Sequence, residues 1–284
     1  MSAILVFGRS GQVATELQRL GSVVALGRDQ VDLSDPAACA AAIHAHRPRA
    51  VINAAAYTAV DRAEEEEALA TLINGEAPTA MAPACAALEI PLVHISTDYV
   101  FAGTGTHAWA PDDSVDPQNA YGRSKLAGEA GIRAAGGVHA ILRTSWVFSA
   151  HGGNFVKTML RVSESRDELS VVDDQIGGPT PAHAIAAACL SIAQQLCDAP
   201  TKTGTYHFSG APDVNWCEFA RAIFAQAERG TRVTPIATRD YPTPAARPLN
   251  SRLDCQTTEQ VFAIPRPDWR ADLADTLTEL GITP

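Results

Sequence analysis

Tyr121 and Lys125 stand four residues apart in Tyr121-Gly122-Arg123-Ser124-Lys125. Residues at that spacing share one face of a helix. A lysine ammonium beside a phenol favours the phenolate, because a nearby positive charge favours an anion. With that help a tyrosine hydroxyl, which ordinarily titrates near pH ~10, can exchange a proton near neutral pH. Reducing a carbonyl or oxidising an alcohol needs such an exchange at oxygen. The same spacing is common on exposed helix faces, where it does nothing. Its neighbours must give it meaning. Ser96-Thr97-Asp98-Tyr99-Val100-Phe101 follows an apolar run, and Thr97 can hydrogen-bond a substrate oxygen or the tyrosine hydroxyl.

The elements that would position these groups are legible as short apolar runs. Ala3 to Phe7, Val23 to Leu26, Ala50 to Asn53, Leu92 to Ile95 and Ala140 to Arg143 read as buried parallel strands. Helices are expected from Gln12 to Leu20, from Asp35-Pro36 with Asp35 or Ser34 as cap, from about Asp61, from about Ala77 and around Tyr121 to Lys125. A loop rich in Gly, Pro and Asp runs from about Ala102 to Asn119. Strand and helix alternate, which predicts an α/β fold of Rossmann type, a doubly wound parallel sheet. Ligands of such sheets lie at the carboxyl ends of the strands, where Thr97 falls. Beyond about residue 150 the rhythm loosens and prolines punctuate shorter elements. Ala182 to Leu196 reads as one more buried helix. The expected division is a dinucleotide-binding domain over 1–150, with further elements from about 181–205, and a smaller, interleaved substrate-binding lobe over 151–284.

Gly8-Arg9-Ser10-Gly11-Gln12-Val13-Ala14 joins the first strand to the first helix. Gly8 and Gly11 allow a tight turn and a close backbone approach to a pyrophosphate, whose charge the helix N-terminus then faces. The spacing is G-x-x-G-x-x-A, with Ala14 where a third glycine often sits. The end of the second strand reads the ribose: an acid suits NAD, an arginine the 2′-phosphate of NADP. Gly27-Arg28 lacks the acid and supplies a base, so NADPH is favoured over NADH, although Asp29 could still serve as the acid. Asp32 is either an adenine contact or a helix cap. Asn53 to Thr58 ends the third strand largely in small residues, as a cofactor lying over that edge requires. A Thr, a Tyr and a Lys brought together there make a proton-donating site beside a nicotinamide.

Composition narrows the classes. A chain of 284 residues, 46% apolar, suits one large domain or two intimate ones at roughly 150 residues per domain. Its net charge of −10, without a Lys/Arg cluster, argues against nucleic acid. Six scattered cysteines show neither a C-x-x-C pair nor metal-ligand spacing and read as core residues of a reducing compartment. No metal is expected. No apolar run reaches the roughly 18 residues of a membrane helix, and the start has no basic signal-peptide segment. A cytoplasmic protein, monomer or homodimer, is expected.

The chain resembles the extended short-chain dehydrogenases/reductases, and among them the dTDP-4-dehydrorhamnose reductase family. The resemblance rests on Phe7 to Val13, Asn53 to Asp61, Ser96 to Phe101, Tyr121 to Glu129 and Arg143 to Val147. It continues through Asn154 to Leu160, Asp174 to Pro179, Tyr241 to Pro244 and Arg247 to Ser251. It implies reduction of dTDP-4-dehydro-6-deoxy-L-mannose at C4 by NADPH or NADH, giving dTDP-L-rhamnose. Tyr121 would protonate the oxygen, Lys125 would bind the nicotinamide ribose and lower the tyrosine pKa, and Thr97 would tune that pKa and hold the sugar. By resemblance Gly11, Gln12, Val13, Asp32, Leu33, Ala56, Tyr57 and Thr58 are cofactor positions. Asp98 and Trp146 contact substrate, and Arg247 and Asn250 contact the nucleotide-sugar, a loop salt bridge being the alternative for Arg247. Ala14 and Gly27 depart from the commonest pattern. Some relatives hold Mg2+ through C-terminal acids at a dimer contact, a feature not matched here. The alternatives are a reductase, 4-epimerase or 4,6-dehydratase acting on a related dTDP-deoxysugar, or a non-catalytic regulatory subunit on the same fold. A dehydratase usually needs an Asp-Glu pair after the threonine, and Asp98 is followed by Tyr99.

Overall fold

The structure is a computed structural model that describes residues 3–282. Its first half alternates strand and helix: β1 (Ile4–Phe7), α1 (Gln12–Leu20), β2 (Val23–Leu26), α2 (Pro36–His46) and β3 (Ala50–Asn53). Then come α3 (Val60–Ala63), α4 (Glu67–Thr71), α5 (Ala77–Ala87), β4 (Leu92–Thr97), α6 (Ala120–Ala135) and β5 (His139–Thr144). Asp35 caps α2 by accepting from Ala38 N–H, and Pro36 opens its first turn.

The second half runs β6 (Val147–Phe148), α7 (Phe155–Ser163), β7 (Glu168–Val172), β8 (Ile176–Gly177), β9 (Thr180–Pro181) and α8 (Ala182–Asp198). It continues with β10 (Gly204–His207), β11 (Val214–Asn215), α9 (Trp216–Gln226), β12 (Arg232–Ile236), β13 (Asn250–Ser251), α10 (Gln256–Phe262) and α11 (Trp269–Glu279). The main sheet is six-stranded and wholly parallel in the order β10-β5-β4-β3-β1-β2. Thus β10 closes one edge.

Each face of the sheet has its own core. α1 and α8 cover one, with Val13, Leu17, Ile185 and Ile192 against Ile4, Val6 and Ile52. α2, α5 and α6 cover the other, with Ile43, Met81 and Ile132 against Leu5, Phe7 and Val51. Burying each such side chain contributes about 1.5–3 kcal/mol. A third core, including Phe148, Val156, Phe219, Ile223 and Trp269, sits among α7, α9 and α11.

The helix expected from about Asp61 is broken. α3 and α4 are short, and Leu72–Glu76 forms a π turn that leads directly into α5. Such wide turns cluster at functional sites. Here the turn carries buried Asn74, whose side chain bonds both Tyr57 N (2.8 Å) and Tyr57 O (3.0 Å) and reaches Ser124 Oγ (2.9 Å). It therefore pins the loop after β3 to α6.

Candidate active site

The carboxyl ends of β1, β3, β4 and β5 open into one cavity of about 830 Å3. At its glycine-turn end Gly8 has φ +112, and a Cβ there would lie 3.3 Å from the Ala54 and Ala55 backbone. Only glycine suits such a turn. α1 then starts behind Gly11 with no side-chain cap and no acid in its first turn. Its free N–H groups and positive dipole end face the cavity, as an anionic pyrophosphate requires. Gln12 Oε1 accepts from Ser149 Oγ and Asn154 Nδ2, both at 2.9 Å, tying the loop before α7 to the glycine turn.

Gly27 matters for what it leaves out. A Cβ at that position would sit 2.5 Å from Asp29 Oδ1 and 2.8 Å from Arg9 Cζ. The space is filled by the Arg9 guanidinium, which bonds Asp29 at 2.7 Å and Gln30 at 3.2 Å. Arg9 and Arg28 thus flank the end of β2, and both line the cavity. Arg9 was not singled out in the sequence, although its place inside the glycine turn was the available signal. Asp32 lines the cavity and accepts from Ser34 N–H at 2.9 Å, a bond that holds its carboxyl below the usual range. Val13, Leu33, Ala56 and Thr58 also line the cavity. Tyr57 does not: its hydroxyl donates to Glu66 at 2.6 Å.

At the chemical end β4 delivers Thr97 and Asp98, α6 delivers Tyr121 and Lys125, and β5 leads to Thr144, Ser145 and Trp146. Asn119 caps α6 by accepting from Gly122 N–H at 2.8 Å. Behind it, Glu129 is fully buried and bonded to Arg143 (2.7 and 2.9 Å) and Ser96 (2.7 Å). Burial pushes the Tyr121 hydroxyl up to about 12, the Asp98 charge adds to this, and the Thr97 hydroxyl pulls it back. Lys125 does not offset that rise. Its Nζ donates to Ile95 O at 2.6 Å and faces His94 Nε2 at 3.2 Å, and burial lowers it to about 8. A hydroxyl raised in this way favours the neutral phenol, which can donate a proton.

Asp98 is also buried. Desolvation raises its carboxyl to about 6, while the Ser251 and Thr97 hydroxyls favour the charged form. Thr97 Oγ1 lies 3.1 Å from Asp98 Oδ1, whereas Asp98 Oδ2, Thr144 Oγ1 and Ser251 Oγ are buried with no hydrogen-bond partner of normal geometry. Trp146 has φ +48, rare for a large residue. Its indole stacks on Trp216 of α9 at 3.6 Å between centroids, so the second lobe fixes its pose. Arg247 and Asn250 lie outside the cavity lining. Arg247 grips Asp61 through two bonds (2.9 and 2.8 Å), the loop salt bridge. Asn250 donates to Thr104 O (3.2 Å) and His107 O (2.7 Å), holding the loop before α6.

Glu16, His151 and Glu279 place ligand atoms within 4.8 Å of one another, the one such trio among the described residues. Arg19 already reaches all three, at 3.3, 3.1 and 2.5 Å, and offsets one of the two carboxylate charges. A further cation there would meet a guanidinium.

A parallel sheet with a glycine turn after its first strand and a cavity at its carboxyl edge, lined by a Thr, a Tyr and a Lys, defines a Rossmann-type dinucleotide-binding protein with a proton donor in reach of the ligand. The family model described as "RmlD substrate binding domain" matches residues 1–282. The dTDP-4-dehydrorhamnose reductase of Escherichia coli K12 is 39% identical, over 99% of this chain and 98% of its own. Among solved structures, a dTDP-4-dehydrorhamnose reductase of Clostridium acetobutylicum superposes with TM-score 0.91 at 34% identity, covering 98% and 99% of the two chains. That of Bacillus anthracis, in complex with NADP, gives 0.90 at 32%, again over 98% and 99%. The chain belongs to the dTDP-4-dehydrorhamnose reductase family.

Proposed function

We propose that this protein reduces the C4 keto group of dTDP-4-dehydro-6-deoxy-L-mannose with NADPH or NADH, giving dTDP-L-rhamnose. The observation that carries the reading is the meeting of Thr97, Tyr121 and Lys125 in one cavity with an uncapped helix N-terminus. That donor set fits a dinucleotide: free amides for pyrophosphate, Arg9 and Arg28 for a 2′-phosphate, and Lys125 for ribose hydroxyls. Bound NADPH supplies the hydride. Tyr121 donates its phenolic proton to the C4 oxygen as charge develops there, leaving a phenolate that solvent reprotonates. A hydroxyl raised to about 12 stays protonated until needed. Thr97 and Asp98 hold the sugar near Tyr121, and the braced face of Trp146 packs on it. Residues 1–150, with 181–205, hold the cofactor, while 151–284 chiefly shape the sugar site. Arg9 and Arg28 favour NADPH. The protein works in the cytoplasm as a monomer or homodimer.

The test is consumption of NADPH and NADH with enzymatically made dTDP-4-dehydrorhamnose, the product being identified by NMR. No turnover with either cofactor overturns the reading. A stoichiometric NAD+ retained through purification favours a 4-epimerase or dehydratase, which recycle it.

A further inference from the structure

Behind the cavity wall, three side chains from three elements form a line: Asn53 of β3, His94 of β4 and Lys125 of α6. All three are buried. Asn53 Nδ2 lies 3.1 Å from His94 Nδ1, and His94 Nε2 lies 3.2 Å from Lys125 Nζ. The backbone sets the Asn53 amide, because Ala55 N–H donates to its Oδ1 at 3.2 Å. The amide therefore presents its NH2 to the imidazole, and Nδ1 must accept. Burial and the Lys125 charge keep that imidazole neutral. A neutral imidazole that accepts at Nδ1 carries its proton on Nε2. That N–H points at Lys125. An ammonium has three donors and no lone pair, so the two groups cannot bond. Among the described residues Ile95 O is then the ammonium's one protein acceptor.

We propose that His94, oriented by Asn53, is a positioning residue for Lys125. Its Nε2–H withholds a second acceptor from the ammonium, whose remaining donors are satisfied by hydroxyls of a ligand in the cavity. Those hydroxyls belong to the nicotinamide ribose, a point that rests on the functional reading above. A histidine in this tautomer fills the volume beside the lysine, and its Nε2–H, 3.2 Å from the ammonium, repels the charge instead of accepting from it.

Two substitutions separate this from a structural role. His94→Gln can turn an amide oxygen to the ammonium and satisfy it internally. His94→Leu keeps apolar bulk and gives no acceptor. A withheld acceptor predicts that His94→Gln raises the KM for NADPH about tenfold, the scale of one charge-assisted hydrogen bond, while His94→Leu stays within about twofold. The KM for the sugar should hold in both, and kcat should change less than the cofactor KM. If His94 only packs the core, the order reverses, since leucine leaves the Asn53 amide unpaired. Ring-15N NMR of the wild-type protein without cofactor reads the tautomer directly, with His94 assigned from its absence in the glutamine variant. A proton on Nε2 is expected. A proton on Nδ1 overturns the proposal whatever the KM values of the two variants. Wild-type protein that shows the Nε2–H tautomer but no turnover of the sugar overturns the function and leaves the His94 geometry standing.

Discussion

The two ends of the cavity are built by different means. The dinucleotide end is made of backbone and of residues close in sequence: Gly8, the uncapped start of α1, and Arg9 lying over Gly27. The other end is made of side chains from β4, α6 and the segment that closes β5, with a brace from α9. The first end therefore draws little on the second lobe, whereas the other draws on both halves of the chain. The loop from Ser149 to Asn154, bonded to Gln12, ties the second lobe to the glycine turn.

Changes at one end should leave the other unmoved, and the largest effect tests the chemistry between them. Tyr121→Phe should keep NADPH affinity and lower kcat by roughly 100-fold or more, the loss of a general acid. A phenylalanine variant of near wild-type rate would remove Tyr121 from the mechanism. The next effect is on stability. The Asp98 carboxyl titrates at about 6 when folded against 3.8 for the free group, so its stabilising contribution is complete below pH 3.8 and disappears as pH rises through 6. The stability difference between wild type and Asp98→Asn should shift by roughly 2–3 kcal/mol across that window, favouring the asparagine variant at the alkaline side. Denaturant melts at pH 4 and pH 7, on the order of the two limits, would show this; parallel curves would place Asp98 in contact with water.

Gly27→Asp should evict Arg9 and set a carboxylate against the 2′-phosphate. The kcat/KM ratio of NADPH over NADH should fall about tenfold or more, with the sugar KM unchanged. The smallest effect is at the far end. Trp216→Ala should raise the sugar KM roughly fivefold, within the range of one aromatic contact, and leave the cofactor KM alone. A cofactor KM that moved with it would mean that the two ends are not separable.

The same contrast explains how far the sequence could be read. β1 to β5 were visible because each is a short apolar run ending near glycine or a polar turn, and Gln12–Leu20 because its apolar positions recur on one face. The glycine turn is local, so its role is written in adjacent residues. Distant meetings leave no such trace. Nothing near Trp216 announces that it stacks on Trp146, seventy residues earlier in the chain. Nothing near His94 announces Asn53 or Lys125. The Tyr121–Lys125 spacing does not show that burial raises the tyrosine hydroxyl or that the ammonium turns to Ile95 O. Tyr57, Arg247 and Asn250 matched a pattern, but their polar atoms are committed to Glu66, Asp61 and the loop before α6.

Two of the buried oxygens left without partners, on Asp98 and Thr144, belong to residues that line the cavity, and they offer it a way of choosing. A buried polar atom without a partner costs about 1–3 kcal/mol. A sugar whose hydroxyls reach these atoms relieves that cost and stabilises the whole fold in proportion to its binding. A sugar lacking one of those hydroxyls meets no clash; it simply leaves an oxygen stranded. Selection of this kind works by silence rather than by exclusion, and it discriminates against the missing group far more sharply than against an added one.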